Sequence, residues 1–364
     1  MSQLRTVQVL GGGAGSSAHV VSLAAGLVAR GVQVTVCAPA GADRGHDFPA
    51  TGARFVAVPR RSDPAAVAAL RAACAGADVV HAHGLHAAVR TGLALSGRST
   101  PLVVTWRARA HTEGARRRLL HLLERRAARA AAVVLGTSSD LVDRARRRGA
   151  RDARLAPAAI PAGPSPVAGQ DGKARVELGA VGRPLLVSVG SLLPHHGFGT
   201  LLDAARVWRG LDPVPLLVIV GEGQERAALQ RRITDEQLPV LLAGSRDDTV
   251  EILAAADLAV LTCGGESPPP TAAHEALRLG VPLVAATSGG PAELAGDAAE
   301  RVPSGDAEAL VSAVVRLLGD RERRERLVAA GLVQAAGWPT EDDTIAHVLS
   351  VYDELAQPLA TVRT

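Results

Sequence analysis

Short apolar runs alternating with segments of helical period constrain this chain more than any other feature. The runs at 6–10 (TVQVL), 32–39 (VQVTVCAP), 77–84 (ADVVHAHG), 101–106 (PLVVTW), 131–136 (AAVVLG) and 153–161 (ARLAPAAIP) have strand length, and most lack the polar alternation of a half-exposed strand. They read as strands covered on both faces. Strands of this kind, joined through helices, pair in parallel because each crossover brings the chain back to start the next strand in the same direction. At 161–172 the composition changes to PAGPSPVAGQDG, which has the Pro, Gly and Ser content of a linker. The alternation then restarts with PLLVSVG (184–190), PLLVIVG (215–221), PVLLAG (239–244), LAVLTC (258–263) and PLVAA (282–286). Two doubly wound α/β domains are therefore expected, at 1–162 and 173–343.

Composition limits the function classes. A chain of 364 residues with 47% hydrophobic residues can bury two cores, but aromatics make up only 2%, so Ala, Val and Leu must fill them. Seven aromatic residues are too few for a base-stacking surface, which argues against nucleic acid as a partner. The net charge of +4 is unevenly spread: between Arg107 and Arg154 there are fourteen arginines against five acidic residues. That asymmetry points to an anionic partner for one face, either a membrane surface or a phosphorylated acceptor. Cys37, Cys74 and Cys263 are far apart and lack CxxC spacing, which argues against a disulfide framework and a zinc site and predicts a reduced, cytoplasmic setting. No run of 18 apolar residues exists, so neither a signal peptide nor a transmembrane helix is expected.

The stretch at 264–294 (GGESPPPTAAHEALRLGVPLVAATSGGPAEL) carries the strongest functional signal. It reads as a loop at a strand end, a helix from Thr271 to Leu279 closed by Gly280, the strand PLVAA, and a Gly-Gly turn opening another helix. Loops at the carboxyl ends of parallel strands face a ligand crevice, and helix N-termini there offer free amides to anions. Glu275 lies one turn into the first helix, so a nucleotide or sugar phosphate is expected to meet the protein at this stretch.

Near the start, 11–17 reads as a glycine-rich loop and His19 to Arg30 as a helix. The loop is close to a dinucleotide fingerprint. However, the second strand ends in Ala38, Pro39 and Ala40, with no carboxylate for a ribose, which excludes a dinucleotide oxidoreductase. His81, His83 and His86 read as polar residues of a loop at a strand end, with no carboxylate nearby to complete a metal site. The segment RRRLLHLLERRAARA (116–130) forms an amphipathic helix with Leu119, Leu120, Leu123, Ala127 and Ala130 on one side and Arg118, His121, Arg125 and Arg129 on the other. A solvated charged face is its ordinary reading. The sharper one is peripheral contact with an anionic membrane through Arg116–Arg129, at the inner face of the membrane.

Three blocks carry a resemblance: GGGAGSSAHVVSLAAGLVARGVQVTVCAP, DVVHAHG and HEALRLGVPLVAATSGGPAEL. In this order they resemble the family 4 retaining glycosyltransferases of the GT-B fold, in which two Rossmann-like domains face a central cleft. The resemblance implies an acceptor domain, a nucleotide-sugar donor domain, and a closing helix at about 344–358 that packs back on the first. It implies transfer of a sugar from a nucleotide diphosphate to an acceptor with retention of configuration, with the nucleotide-sugar as co-substrate and neither cofactor nor metal.

Carried over residue by residue, the resemblance assigns Gly12, Gly13 and His83 to an acceptor or phosphate loop. It assigns Gly190, Ser191, His196, Gly197, Gly221, Gly223, Ser267, Thr271 and Glu275 to the donor, and Arg107 and Glu266 to catalysis. Four of these positions depart from the family pattern. Ser191 stands where an Arg is usual and His196 where a Lys is, which weakens the charge available to a diphosphate. The first glutamate of the family's pair falls on Ser267, with Glu266 one residue early. Arg107 replaces a histidine and supplies a fork that can clamp a phosphate. In addition, Pro268, Pro269 and Pro270 remove three backbone donors from the donor loop. A fold-retaining chain that has lost catalysis and acts as a binding or partner subunit is the alternative these departures leave open.

Overall fold

The computed structural model describes residues 3–11, 14–39, 47–59, 64–107, 115–157, 159–160, 170–194, 196–262, 271–287 and 290–356. They form two compact units, one comprising 1–160 with 339–364 and the other 161–338.

In the first unit the strands are β1 (Arg5–Leu10), β2 (Gln33–Pro39), β3 (Arg54–Val58), β4 (Val79–His83), β5 (Leu102–Trp106), β6 (Val133–Gly136) and β7 (Ala153–Leu155). Between them run α1 (Ala14–Ala29), α2 (Pro64–Ala73), α3 (Leu85–Ala94), α4 (Ala115–Ala130) and α5 (Ser139–Arg147). All seven strands pair in parallel in the order β3-β2-β1-β4-β5-β6-β7. Both faces of the central strands are covered, and Val9, Val80, Val103 and Val104 have no exposed surface. β3 escapes sequence reading because its RFVAV lies at the sheet edge and is only partly buried. α1 begins at Ala14, inside the stretch read as loop, since Ala and Ser extend a helix without adding to its apolar stripe.

The second unit opens with α6 (Gln170–Leu178), so Gln170–Gly172, read as linker, are helical. Its strands are β8 (Leu185–Val189), β9 (Leu216–Val220), β10 (Val240–Gly244), β11 (Leu258–Leu261), β12 (Leu283–Ala286) and β13 (Ala299–Val302). The helices are α7 (Phe198–Trp208), α8 (Arg226–Asp235), α9 (Thr249–Ala254), α10 (Thr271–Arg278), α11 (Gly290–Ala295), α12 (Ala307–Gly319) and α13 (Arg321–Ala336). The parallel order is β10-β9-β8-β11-β12-β13. β13 (AERV) is a second edge strand without an apolar run; its Glu300 is buried and accepts from Arg316 and Arg323 at 2.6 Å each.

The last helix, α14 (Glu341–Ala356), belongs to the first unit. Thr340 and Asp343 cap it reciprocally: each side chain accepts from the other residue's backbone N–H, at 3.0 and 3.1 Å. Ile345, Val348, Val351 and Tyr352 bury its inner face in one core with Leu10, Leu23 and Leu27. Gly26 makes the close approach possible, since a Cβ there would lie 2.1 Å from Ile345 Cδ1.

The basic helix α4 does not present the face its periodicity suggests. Leu119 is 57% exposed and Ala130 is also exposed, whereas Leu120, Ala127 and Ala128 are buried together with Glu124. The inward side is rotated toward Glu124 because Arg144 and Arg148 of the α5 region grip that carboxylate at 2.6 and 2.8 Å. No helix of the described residues is long and apolar enough to cross a membrane.

Candidate active site

In each sheet the strand order reverses once, between β1 and β4 in the first unit and between β8 and β11 in the second. At such a point the loops leaving the two central strands diverge and open a crevice beyond their carboxyl ends. The sequence-predicted residues that are described lie in or beside the loops at these two places.

In the second unit, Gly190, Ser191, His196 and Gly197 follow β8, and Gly221 and Gly223 follow β9. The two loops stack backbone on backbone. Gly190 N–H donates to the Val220 carbonyl at 3.0 Å, Leu192 N–H to Glu222 O at 2.9 Å, and Glu225 N–H to Leu192 O at 3.0 Å. A Cβ on Gly221 (φ +144) would sit 2.0 Å from Gly190 O, and one on Gly223 would sit 2.4 Å from Leu192 O. These glycines are required by packing that brings two loops together as one rigid rim. Gly197, at φ +77, starts α7, and a Cβ there would meet Thr262 O at 2.6 Å. The loop after β8 therefore touches the end of β11 at the switch point.

His196 is buried at 3% exposure, and its carbonyl accepts from the Thr262 hydroxyl at 3.3 Å. A surface cation in the place of the usual lysine is thus not what this position supplies. Its backbone joins the two loops. Ser191 is exposed on the rim. Thr271 opens α10, and Glu275 lies one turn on with its residue 9% exposed. Glu275 Oε2 accepts from Arg278 Nε at 3.0 Å and Nη2 at 2.6 Å. Arg278 was not anticipated, although the i, i+3 spacing of opposite charges signals it. α10 is held from behind by α13, where Gly331 lets Leu277 approach: a Cβ there would lie 3.0 Å from Leu277 Cδ2. Glu266, Ser267 and Pro268–Pro270 lie outside the described residues, as do Gly12 and Gly13.

The first unit places His83 and Arg107 at the other switch point. His81 and His83 are not loop residues but the third and last residues of β4, 0% and 1% exposed. His86 lies on α3. The period-2 geometry of a strand puts His81 and His83 on one face, with ring centroids 4.2 Å apart. A hydrogen-bonded chain buries them: Gln8 Nε2 donates to the Tyr352 hydroxyl at 2.9 Å. The Tyr352 oxygen lies 2.6 Å from His81 Nδ1, and His81 Nε2 lies 2.6 Å from Thr105 Oγ1. His83 Nε2 meets Gln8 Oε1 at 2.9 Å. Because that amide oxygen can only accept, the His83 proton is on Nε2 and Nδ1 carries a lone pair.

His19 of α1 stands edge-on to His83 at 5.8 Å. Burial and then the Arg107 charge push His19 down to about 3. Burial likewise takes His81 to about 3 and His83 well below the usual imidazole range. All three imidazoles are neutral. His19 and Thr105 also line a cavity of about 230 Å³ with Leu135, Leu155, Thr344 and Val348. Among the described residues no cluster of three or more His, Cys, Asp or Glu could hold a metal ion.

Residues 14–161 match the model of the glycosyl transferase 4-like domain, and 171–333 match that of glycosyl transferases group 1. The chain belongs to the family 4 glycosyltransferases of the GT-B fold. Over 168 residues this family 4 chain is 32% identical to the GDP-mannose-dependent monoacylated alpha-(1-6)-phosphatidylinositol monomannoside mannosyltransferase of Corynebacterium glutamicum. That match spans 43% of the chain and 44% of the relative, less than half the length of either. HepE from Anabaena in complex with UDP shares the fold with TM-score 0.81 at 18% identity, covering 97% of this chain and 100% of that one. A glycosyltransferase from Rickettsia africae gives 0.80 at 12% identity, covering 98% and 100%. Sucrose-phosphate synthase from Thermosynechococcus elongatus gives 0.74 at 18%, covering 97% and 99%.

Proposed function

We propose that this family 4 chain transfers a sugar from a nucleotide-diphosphate donor to a hydroxyl acceptor with retention of configuration. The observation that carries the reading is the second-unit switch point, where the stacked rims Gly190–Gly197 and Gly221–Gly223 stand beside the end of β11. The Corynebacterium relative is named for a GDP-mannose donor, and HepE holds UDP, so relatives by sequence and by fold both take nucleotides. On this reading Glu275, steadied by Arg278, accepts from ribose hydroxyls, and the rim residues Ser191, Gly197 and Thr271 face the diphosphate and sugar. Arg107 and Glu266 serve the reacting centre. Stabilisation of the leaving diphosphate comes from backbone amides of the rims, and no metal or cofactor is required.

The exposed Leu119 (57%) and Leu122 (63%), interleaved with exposed Arg118, Arg125, Arg126 and Arg129, support peripheral contact of α4 with an anionic membrane. Co-sedimentation with anionic but not zwitterionic vesicles, lost in a Leu122→Ser, Arg125→Gln, Arg129→Gln variant, is expected.

The second reading, a non-catalytic binding subunit, is favoured by Ser191 in place of an arginine. Calorimetric titration with UDP, GDP, ADP and TDP and their sugar conjugates decides between the two. Micromolar binding of one base, lost in Glu275→Ala, is expected; no binding to any of them would leave the partner-subunit reading.

A further inference from the structure

Among the described residues, two buried polar atoms near the first-unit switch point have no hydrogen-bond partner: Nδ1 of His83 and Nη1 of Arg107. Both belong to one place. His83 pairs in register with Thr105, Gly84 N–H donates to Thr105 O at 2.9 Å, and Arg107 follows two residues later, leaving β5 beside the end of β4. The Arg107 charge acts on both His19 and His83. Leaving a buried donor or acceptor unpaired is costly, so each such atom calls for a partner from outside the fold, a water, an ion or a ligand.

The two atoms ask for different partners. His83 Nδ1 is a lone pair, because Nε2 holds its proton for Gln8 Oε1, so it accepts from a hydroxyl. Arg107 Nη1 is a cationic donor, which an oxyanion satisfies best. Neutral His19 and His81 add no charge, so the guanidinium is the cation that acts on this cluster. Neither His83 nor Arg107 lines the cavity of about 230 Å³, but their neighbours His19 and Thr105 do, and it has space for about seven waters, enough for a small polyol.

We infer that the first unit binds its acceptor through a hydroxyl on His83 Nδ1 and a neighbouring oxyanion on Arg107, and that the acceptor is a polyol phosphate. This names the acceptor class of the glycosyltransferase reading and rests on it. The same oxyanion chemistry could come from the donor's diphosphate, and the test separates the two sources.

The full chain, without nucleotide, is titrated calorimetrically with glycerol 3-phosphate, inorganic phosphate and glycerol, and separately with nucleoside diphosphates. Glycerol 3-phosphate is expected to bind more tightly than either fragment. Arg107→Gln is expected to weaken it at least tenfold, Arg107→Lys less, with nucleoside-diphosphate affinity unchanged in both. His83→Gln, checked for folding by circular dichroism, is expected to erase the advantage of glycerol 3-phosphate over inorganic phosphate. Absent glycerol 3-phosphate binding, or binding that Arg107→Gln leaves intact, overturns the inference. So does a loss confined to nucleoside diphosphates in that variant, which gives Arg107 to the donor. Glycerol 3-phosphate binding in a protein that takes no nucleotide supports the subsite while removing the donor reading.

Discussion

The hydroxyl of Tyr352 lies 2.6 Å from Nδ1 of His81, joining residues 271 positions apart in sequence. The same hydroxyl accepts from Gln8 at 2.9 Å, so the only tyrosine of the chain ties α14 to both central strands of the first sheet. Tyr352→Phe leaves a buried amide and a buried imidazole without their partner. Urea denaturation is expected to show about 2–4 kcal/mol lost, more than a single exchanged hydrogen bond, because two groups are orphaned. A loss below about 0.5 kcal/mol would show that the network contributes nothing net.

Gly221→Ala should be severe. The added methyl meets backbone, the Gly190 carbonyl at 2.0 Å, at a φ of +144 that side chains rarely adopt. The stacked rims must separate, costing about 3 kcal/mol or more. Nucleotide affinity is expected to fall even under conditions where the variant remains folded. Gly210→Ala, whose methyl would sit at an ordinary 3.5 Å, is the control and should leave nucleotide affinity unchanged.

Stability should fall in mild acid. His81 and His83 are neutral when folded and protonate near 6.5 when unfolded, so the unfolded chain binds more protons below that pH. The stability is complete above about pH 6.5 and is lost as the pH falls below it, by up to about 1.4 kcal/mol per pH unit for each imidazole, for His81 down to about pH 3. Urea midpoints measured between pH 7 and 5 check the slope, and His81→Asn should flatten it.

Removing Glu124 should destabilise the first unit. Its carboxylate is 6% exposed and accepts from Arg144 and Arg148, so Glu124→Ala leaves two guanidinium groups partly buried without their counter-charge. About 3 kcal/mol is expected from thermal or urea unfolding. A Glu124→Ala, Arg144→Met, Arg148→Met variant should recover part of it, since the cost lies in orphaned charges.

Much of this protein was legible locally. Buried parallel strands announce themselves because both faces must be apolar, so TVQVL or PLLVIVG can be read without knowing their neighbours. β3 and β13 could not be read this way, since RFVAV is only partly buried and AERV carries Glu300 and Arg301, which break the apolar run. The stretch around Glu275 was legible for a similar reason: a helix start after a strand, closed by Gly280, is spelled by neighbours in the chain. Arg278 is also local, at i+3, and was within reach of the same reasoning.

The sequence by itself determined the parallel α/β class and the division near residue 161, because these follow from periodicity and from Gly and Pro within a few residues. Only the tertiary structure decided which side of α4 turns inward, that His81 and His83 are core rather than loop, and that Gly190 and Gly221 exist for each other. In each case the deciding partner is distant in sequence: Arg144 for Glu124, Tyr352 for His81, one loop's carbonyl for another loop's missing Cβ. Hydrogen-bond partners and steric room are properties of three-dimensional neighbourhoods, and no local pattern encodes them.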